Sequence, residues 1–512
     1  MHHLSNILFQ TLKHVSKTLF VFLVFLMLLG QLNRLWAAEG SYLFINATIY
    51  GHVDADSIYV EKGRIADIGD AGSDRFSTLA KTVEVIDLEG GFLLPGFIDN
   101  HIHLAEGGEV NCFLNDERSL DEQSHLLRKC KENAAPHDWI IGYGTHLYIV
   151  LGEEEPYKNP RLILDEIFPD QPVIIMEQTS HAMYANSVAL QRAGINESSI
   201  DPVGGKFMRD ESGKLNGVLV DYAGDIVMEI AVNDLPNRDA LFLEGLEYGI
   251  REAHKVGITA IGDGRTFWRR GMFEAWLAMK EDDALEIRAS VRPWIYPELD
   301  FEAQVDFLKK AHTSDLSDQL IVNQVKIYID GVPENGTALV QEPYAYTYFP
   351  DLPNGLTYID GPRMTDILLQ LDKLGFGAHI HGLGDKGISE ALDAIEAARR
   401  AGSRQKYHIT HLYMVDKRDL SRFEELDVTA DFQISHPQDR EDHVEEASYF
   451  FEQHQLDHVT FRPIKQIAET RANLVLSSDW SVNDINPLAA ISHSVTEGSL
   501  QIDSAIDAYT IN

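Results

Sequence analysis

Apolar and polar positions fall into three successive patterns along the chain. The first is one apolar run, residues 18–29, preceded by His2, His3, Lys13, His14 and Lys17 and followed by small residues at Ala37 and Ala38. Basic residues, a short apolar core and then small residues are the layout of a secretory leader. The run is shorter than the roughly 20 apolar residues that span a bilayer. Residues 1–38 are therefore read as a signal peptide, with export to the periplasm or the medium. A leader left uncleaved would tether the protein to the membrane. The second pattern, residues 41–94, is short alternation such as Leu43-Phe44-Ile45 and Ser57-Ile58-Tyr59-Val60, broken at Lys62-Gly63-Arg64. A period of two with turn-forming breaks predicts a meander of hairpins, so residues 39–94 are read as a small β domain. From Gly96 onward short apolar runs alternate with amphipathic stretches, as in residues 378–381, then 388–399, then 408–411. That alternation predicts repeated βα units around a parallel sheet. No sequence repeat or Pro-rich linker divides it, and residues 95–512 are read as one unit.

Composition narrows the function more than the fold. A chain of 512 residues accommodates one large α/β unit plus a satellite. Asp and Glu number 80 against 43 Lys and Arg, a formal charge of -37, which is the reverse of a nucleic-acid binder's footprint. Cys112 and Cys130 are the only cysteines, too few for a thiolate metal cluster. Cys112 falls in a loop-like stretch and Cys130 in a helix-like one, and the two are read as unpaired rather than bridged.

The chemistry starts at Gly91-Phe92-Leu93-Leu94-Pro95-Gly96-Phe97-Ile98-Asp99-Asn100-His101-Ile102-His103, an apolar run ending in two histidines one residue apart. Residues i and i+2 of a strand share a face, so His101 and His103 can offer two imidazoles to one ion. Further ligand-type residues close later strand-like runs: His381 after Gly377-Ala378-His379-Ile380, His411 after Tyr407-His408-Ile409-Thr410, and Asp479 after Leu474-Val475-Leu476-Ser477-Ser478. Lys326 sits in another such run, residues 323–329. Barrel enzymes build their sites from the C-terminal ends of strands.

With these residues in place, the chain resembles the amidohydrolase superfamily, specifically its type-3 branch. The resemblance rests on Leu94-Pro95-Gly96-Phe97-Ile98-Asp99 with His101-Ile102-His103, Lys326 to Gly331, His381-Gly382-Leu383-Gly384-Asp385, Thr410-His411 and Ser478-Asp479-Trp480. Ser180-His181, Asn186-Ser187, Gly204-Gly205, Gly213 and Gly217 extend it. It implies an α/β fold: a (β/α)8 TIM barrel with a small β-sandwich domain built from the N-terminal strands. Members of that branch continue with further strands beyond the segment resembling residues 508–512. Because this sequence stops there, the β domain is expected to be incomplete at the C-terminus.

The resemblance further implies two divalent ions, zinc foremost. His101, His103 and Asp479 would hold the first and His381 and His411 the second, with Lys326 bridging them as a carbamate. The expected reaction is hydrolysis of non-peptide carbon–nitrogen bonds in a small-molecule amide or cyclic amide by a metal-bound hydroxide. Asp479 would carry the proton to the departing amine. His181, after the run Val173 to Met176, is a candidate for a substrate contact, and His436 a weaker one. His379 is expected beneath the site, His408 on the opposite strand face, and Asp385 as a helix cap. The Pro-, Tyr- and Phe-rich residues 334–356 suggest a wall over the barrel mouth, with simple packing as the alternative. A twofold homodimer is the default assembly. Two other readings compete: a non-catalytic binding protein with a decayed site, and a metal-dependent esterase or isomerase on the same fold.

Overall fold

Lys62 and Gly63 take φ of +52° and +72° between strands Ser57–Glu61 and Arg64–Gly69. Positive φ at both central residues is what a two-residue hairpin loop requires, and glycine supplies one of them without strain. The computed structural model describes residues 40–114, 120–135, 138–152, 157–313, 315–434 and 450–511. The proposed leader and His436 lie outside the described residues. The chain divides into two units, Met1–Pro95 and Gly96–Asn512.

In the first unit Ser41–Ile45 pairs antiparallel with Ser57–Glu61 and parallel with Glu84–Asp87. A parallel pairing needs a crossover, and helix Asp74–Leu79 lies on it. The meander expectation therefore holds for the hairpin and fails for the parallel return. Six helical residues are too few to show a 3.6 period in the sequence. Leu43, Tyr59 and Phe76 form one small core, and Ala47, Ile49 and Ile58 form another.

The second unit contains eight parallel strands: β1 (Phe97–Ile102), β2 (Ile258–Thr266), β3 (Arg288–Pro293), β4 (Gln324–Tyr328), β5 (Gly377–Gly382), β6 (Tyr407–His411), β7 (Val428–Gln433) and β8 (Leu474–Ser477). Neighbours pair in the order β1-β2-β3 and β4-β5-β6-β7-β8. A bridge from Trp294 to Lys326 joins β3 to β4. The Asp479 N–H donates to the His101 carbonyl (2.7 Å) and the His103 N–H to that of Trp480 (2.8 Å), bringing β8 back to β1. The result is a (β/α)8 barrel. Strands such as β5 and β7 are buried along their whole length, as a parallel sheet covered by helices demands. The helix after β5, Asp385–Arg400, buries Ile388, Ala391, Leu392, Ile395 and Ala398, one apolar stripe at helical spacing.

Between β1 and its helix, Arg238–Lys255, the chain departs from simple βα alternation. It builds a mixed six-stranded sheet running from Gly205–Arg209 at one edge to Cys112–Phe113 at the other. The cysteines are bridged here, contrary to the sequence reading. Cys112 on the edge strand meets Cys130 on helix Leu120–Asn133, with Cα atoms 5.5 Å apart, within the span a disulfide needs. Residues 334–356 take the packing alternative: Tyr344, Tyr348 and Phe349 are buried in one core with Leu151, Ile175 and Val218. Their aromatic content fills the interior between insert and barrel instead of walling the mouth. Among the described residues no helix is long and apolar enough to cross a membrane.

Candidate metal centre

The ligand-type residues named from the sequence converge at one end of the barrel. β1 supplies His101 and, one residue past its end, His103; β4 supplies Lys326, β5 His381, β6 His411, and the turn after β8 Asp479. The Nε2 atoms of His101 and His103 stand 3.3 Å and 2.9 Å from a single atom, Asp479 Oδ1. His411 Nδ1 lies 3.9 Å from the other oxygen of that carboxylate, and its ring centroid is 4.6 Å from that of His381. His411 and Asp479 carry φ of +77° and +58°, a region non-glycine residues enter at a cost and keep mainly at functional sites.

The donor set fits a divalent ion. His101 Nε2, His381 Nδ1 and Lys326 Nζ are buried without a hydrogen-bond partner among the described residues, which native interiors rarely tolerate. One donor atom each from His101, His411 and Asp479 lies within 4.8 Å of the others. The space beside the imidazoles is kept by Gly264 of β2, where a Cβ would stand 2.8 Å from His101 Nε2. Imidazole with carboxylate suits zinc and several other first-row metals.

Electrostatics agree. Burial holds His101 and His381 well below the usual imidazole range, so both are neutral and able to ligate. His411 is pushed down to about 3, chiefly by burial. Burial also opposes charge on His103, but Glu106 and Asp479 outweigh it and lift this imidazole to about 9, so an ion bound at this histidine would displace a proton. Burial depresses Lys326 well below the usual amine range, and a neutral amine is the form that can add carbon dioxide.

Several contributors escaped the sequence reading. Glu106 approaches His103 Nδ1 (3.4 Å) and accepts two hydrogen bonds from Arg265, 2.9 Å and 2.8 Å, so it is fixed from both sides. A carboxylate behind a ligating histidine sets the ring's orientation and basicity. Glu106→Gln is therefore expected to weaken metal binding about 10–100-fold, measured by competition with a chelating dye, with secondary structure unchanged. The only hint in the sequence was an acidic residue three positions after His103.

His181 reaches the site from the insert. Its Nδ1 lies 2.6 Å from Asp221 Oδ1, and its ring centroid is 4.9 Å from that of His381. Glu177 accepts from the backbone N–H groups of Thr179, His181 and Ala182, which fixes the turn carrying His181. His379 lies beneath the site as expected, its Nε2 2.6 Å from His101 Nδ1. His408 turns to Asn100 instead (3.1 Å). Asp385 is not the cap: Gly384 holds the N-cap position, and Asp385 accepts from the Gln341 N–H (3.1 Å) and meets His458 (2.7 Å). The glycine at 384 has its own reason, since a Cβ there would stand 2.1 Å from the Leu339 carbonyl oxygen.

Comparison with known proteins agrees with this geometry. The profile described as "Amidohydrolase family" matches residues 84–512. "Protein LONG AFTER FAR-RED 3" of Arabidopsis thaliana is 31% identical over 469 residues, covering 86% of this chain and 74% of that protein. "N-substituted formamide deformylase" of Arthrobacter pascens is 25% identical over 483 residues, covering 90% of this chain and 85% of its own. Among solved structures, an uncharacterized metal-dependent hydrolase from Pyrococcus horikoshii OT3 superposes with a TM-score of 0.69 at 20% identity, covering 92% of each chain. That last likeness is one of fold.

Proposed function

This chain belongs to the amidohydrolase family, and we propose that it uses a two-ion centre to hydrolyse non-peptide carbon–nitrogen bonds in small-molecule amides. The family makes it a hydrolase of carbon–nitrogen bonds; the restriction to non-peptide amides, the ion count, zinc as the metal and the division of labour below are the proposal. The observation that carries it is the meeting of His101 Nε2 and His103 Nε2 on one oxygen of Asp479, beside partnerless donors on His381 and Lys326. His101, His103 and Asp479 would hold one ion, His381 and His411 the other, with carboxylated Lys326 between them. Divalent ions there would supply Lewis acidity, making water nucleophilic near neutral pH and polarising the scissile carbonyl.

The chain's own residues do the rest. Burial alone would raise the Asp479 carboxyl, but the hydrogen bond from His103 and the neighbouring imidazoles hold it below its usual range. It is therefore ionised, ready to take a proton from the attacking water and return it to the departing nitrogen. His181 spends Nδ1 on Asp221, which leaves Nε2 as the ring atom available to contact the substrate carbonyl. The apolar run at residues 18–29 supports export.

The test is product analysis on zinc-loaded protein with N-alkylformamides and acetamides. Amine and carboxylate released in equal amounts, lost on chelation and restored by zinc, are expected. Activity that survives complete metal removal, an isomerised product, or turnover confined to esters would overturn the proposal.

A further inference from the structure

A cavity of about 470 Å³ opens from His103 and runs between Trp480 and Ser180, so it begins beside Asp479 and the turn that carries His181. That size falls in the range of pockets that bury an organic ligand of one or two rings. Its walls include Phe113, Tyr143, Met176, Tyr248 and Trp480, and the rings of Tyr248 and Trp480 lie 6.3 Å apart. Phe113 is 59% exposed, an aromatic ring left partly in water at the cavity edge, where a ligand would cover it.

The charges along this cavity are one-sided. Two glutamates line it, Glu106 and Glu244, and no lysine or arginine does so among the described residues. Glu106 is committed to Arg265 (2.8 Å) and His103, so Glu244, exposed on helix Arg238–Lys255, carries the local charge. The buried arginines nearby are occupied: Arg265 by Glu106, and Arg270 by Asp225 (2.7 Å). A substrate carboxylate beside Glu244 would meet that charge with no lysine or arginine lining the cavity to offset it among the described residues, inside a chain of formal charge -37.

Building on the hydrolase reading, we infer that this cavity is the substituent pocket, and that it selects amides bearing an apolar chain or ring that is neutral or cationic. Amides carrying a carboxylate, N-acyl amino acids among them, are poor ligands. Aromatic walls supply the attraction by burying apolar surface, and Glu244 supplies the discrimination by repelling anions and attracting ammonium groups.

The experiment is calorimetric binding to the zinc-loaded protein of three amides matched in length: N-hexylacetamide, N-(6-aminohexyl)acetamide and 6-acetamidohexanoate. The carboxylate is expected to bind at least fivefold more weakly than the neutral amide, a ratio suited to one partly solvated charge. Glu244→Lys should reverse the order of the two charged ligands, and Tyr248→Ala should weaken all three. Equal or tighter binding of the carboxylate would overturn the inference. So would affinities untouched by both substitutions. Binding does not require turnover, so ligands that bind in this order without being hydrolysed would count against the hydrolase reading and leave the pocket's selectivity standing.

Discussion

Asparagine in place of Asp479 is expected to lower kcat on the best amide substrate about a thousandfold, the scale of a lost general acid–base group. The side chain is nearly isosteric, and the Asp479 N–H bond to the His101 carbonyl comes from the backbone, so the link between β8 and β1 should survive. What disappears is the negative charge facing His103 Nε2 at 2.9 Å. An amide oxygen still presents a lone pair at that position but cannot accept and return a proton at neutral pH. The same variant should let His103 fall from about 9 toward the ordinary imidazole range, since one of its two carboxylate neighbours is gone. Imidazole titration followed by NMR on metal-free protein reads that shift independently of activity. A variant retaining a tenth or more of wild-type kcat would remove Asp479 from the proton path.

Lys326 gives the second large effect. Its Nζ is fully buried beside the imidazoles without a hydrogen bond among the described residues, an arrangement that costs stability unless the amine is used. Lys326→Ala is expected to reduce bound metal from about two ions to one or none per chain and activity by at least a hundredfold, because no carbamate can span the two positions. Lys326→Arg should fare no better: guanidinium stays charged at any working pH, and a buried, unpaired cation among ligating histidines repels the ions. Metal loading of the wild type should also depend on carbon dioxide, falling in degassed, bicarbonate-free buffer and recovering when bicarbonate is added. Elemental analysis after each treatment reads the outcome. Full loading of Lys326→Ala would show that the lysine is only structural.

How much of this was visible in the sequence follows from how local each feature is. His101 and His103 share a strand, so their spacing alone placed them on one face. His381, His411 and Asp479 end apolar runs, and the barrel's rule that strand ends meet brought them together. The partners that orient them come from far along the chain: Arg265 is 159 positions from Glu106, and Asp221 is 40 from His181. No periodicity links such pairs. The mixed sheet of the insert was hidden for the same reason, since short, buried strands such as Val173–Met176 and Ala182–Ala185 read like barrel strands until their antiparallel partners are known. The Cys112–Cys130 bridge needed the face of a helix to be known, and the aromatic residues 334–356 needed the core they fill. Charge content, by contrast, carried over directly: the acidic excess that argued against nucleic acid reappears as a cavity lined by two glutamates and, among the described residues, by no lysine or arginine.

The central claim is that the histidines on β1, β5 and β6, with Asp479, form a metal centre. Elemental analysis of metal per chain, on wild type and on the His101→Ala, His103→Ala double variant, tests it most directly. About two ions in the wild type, with clear loss in a double variant that remains folded by circular dichroism, is the predicted result. A folded wild type that takes up no metal from supplemented buffer, or a double variant loaded as fully as the wild type, would contradict the account.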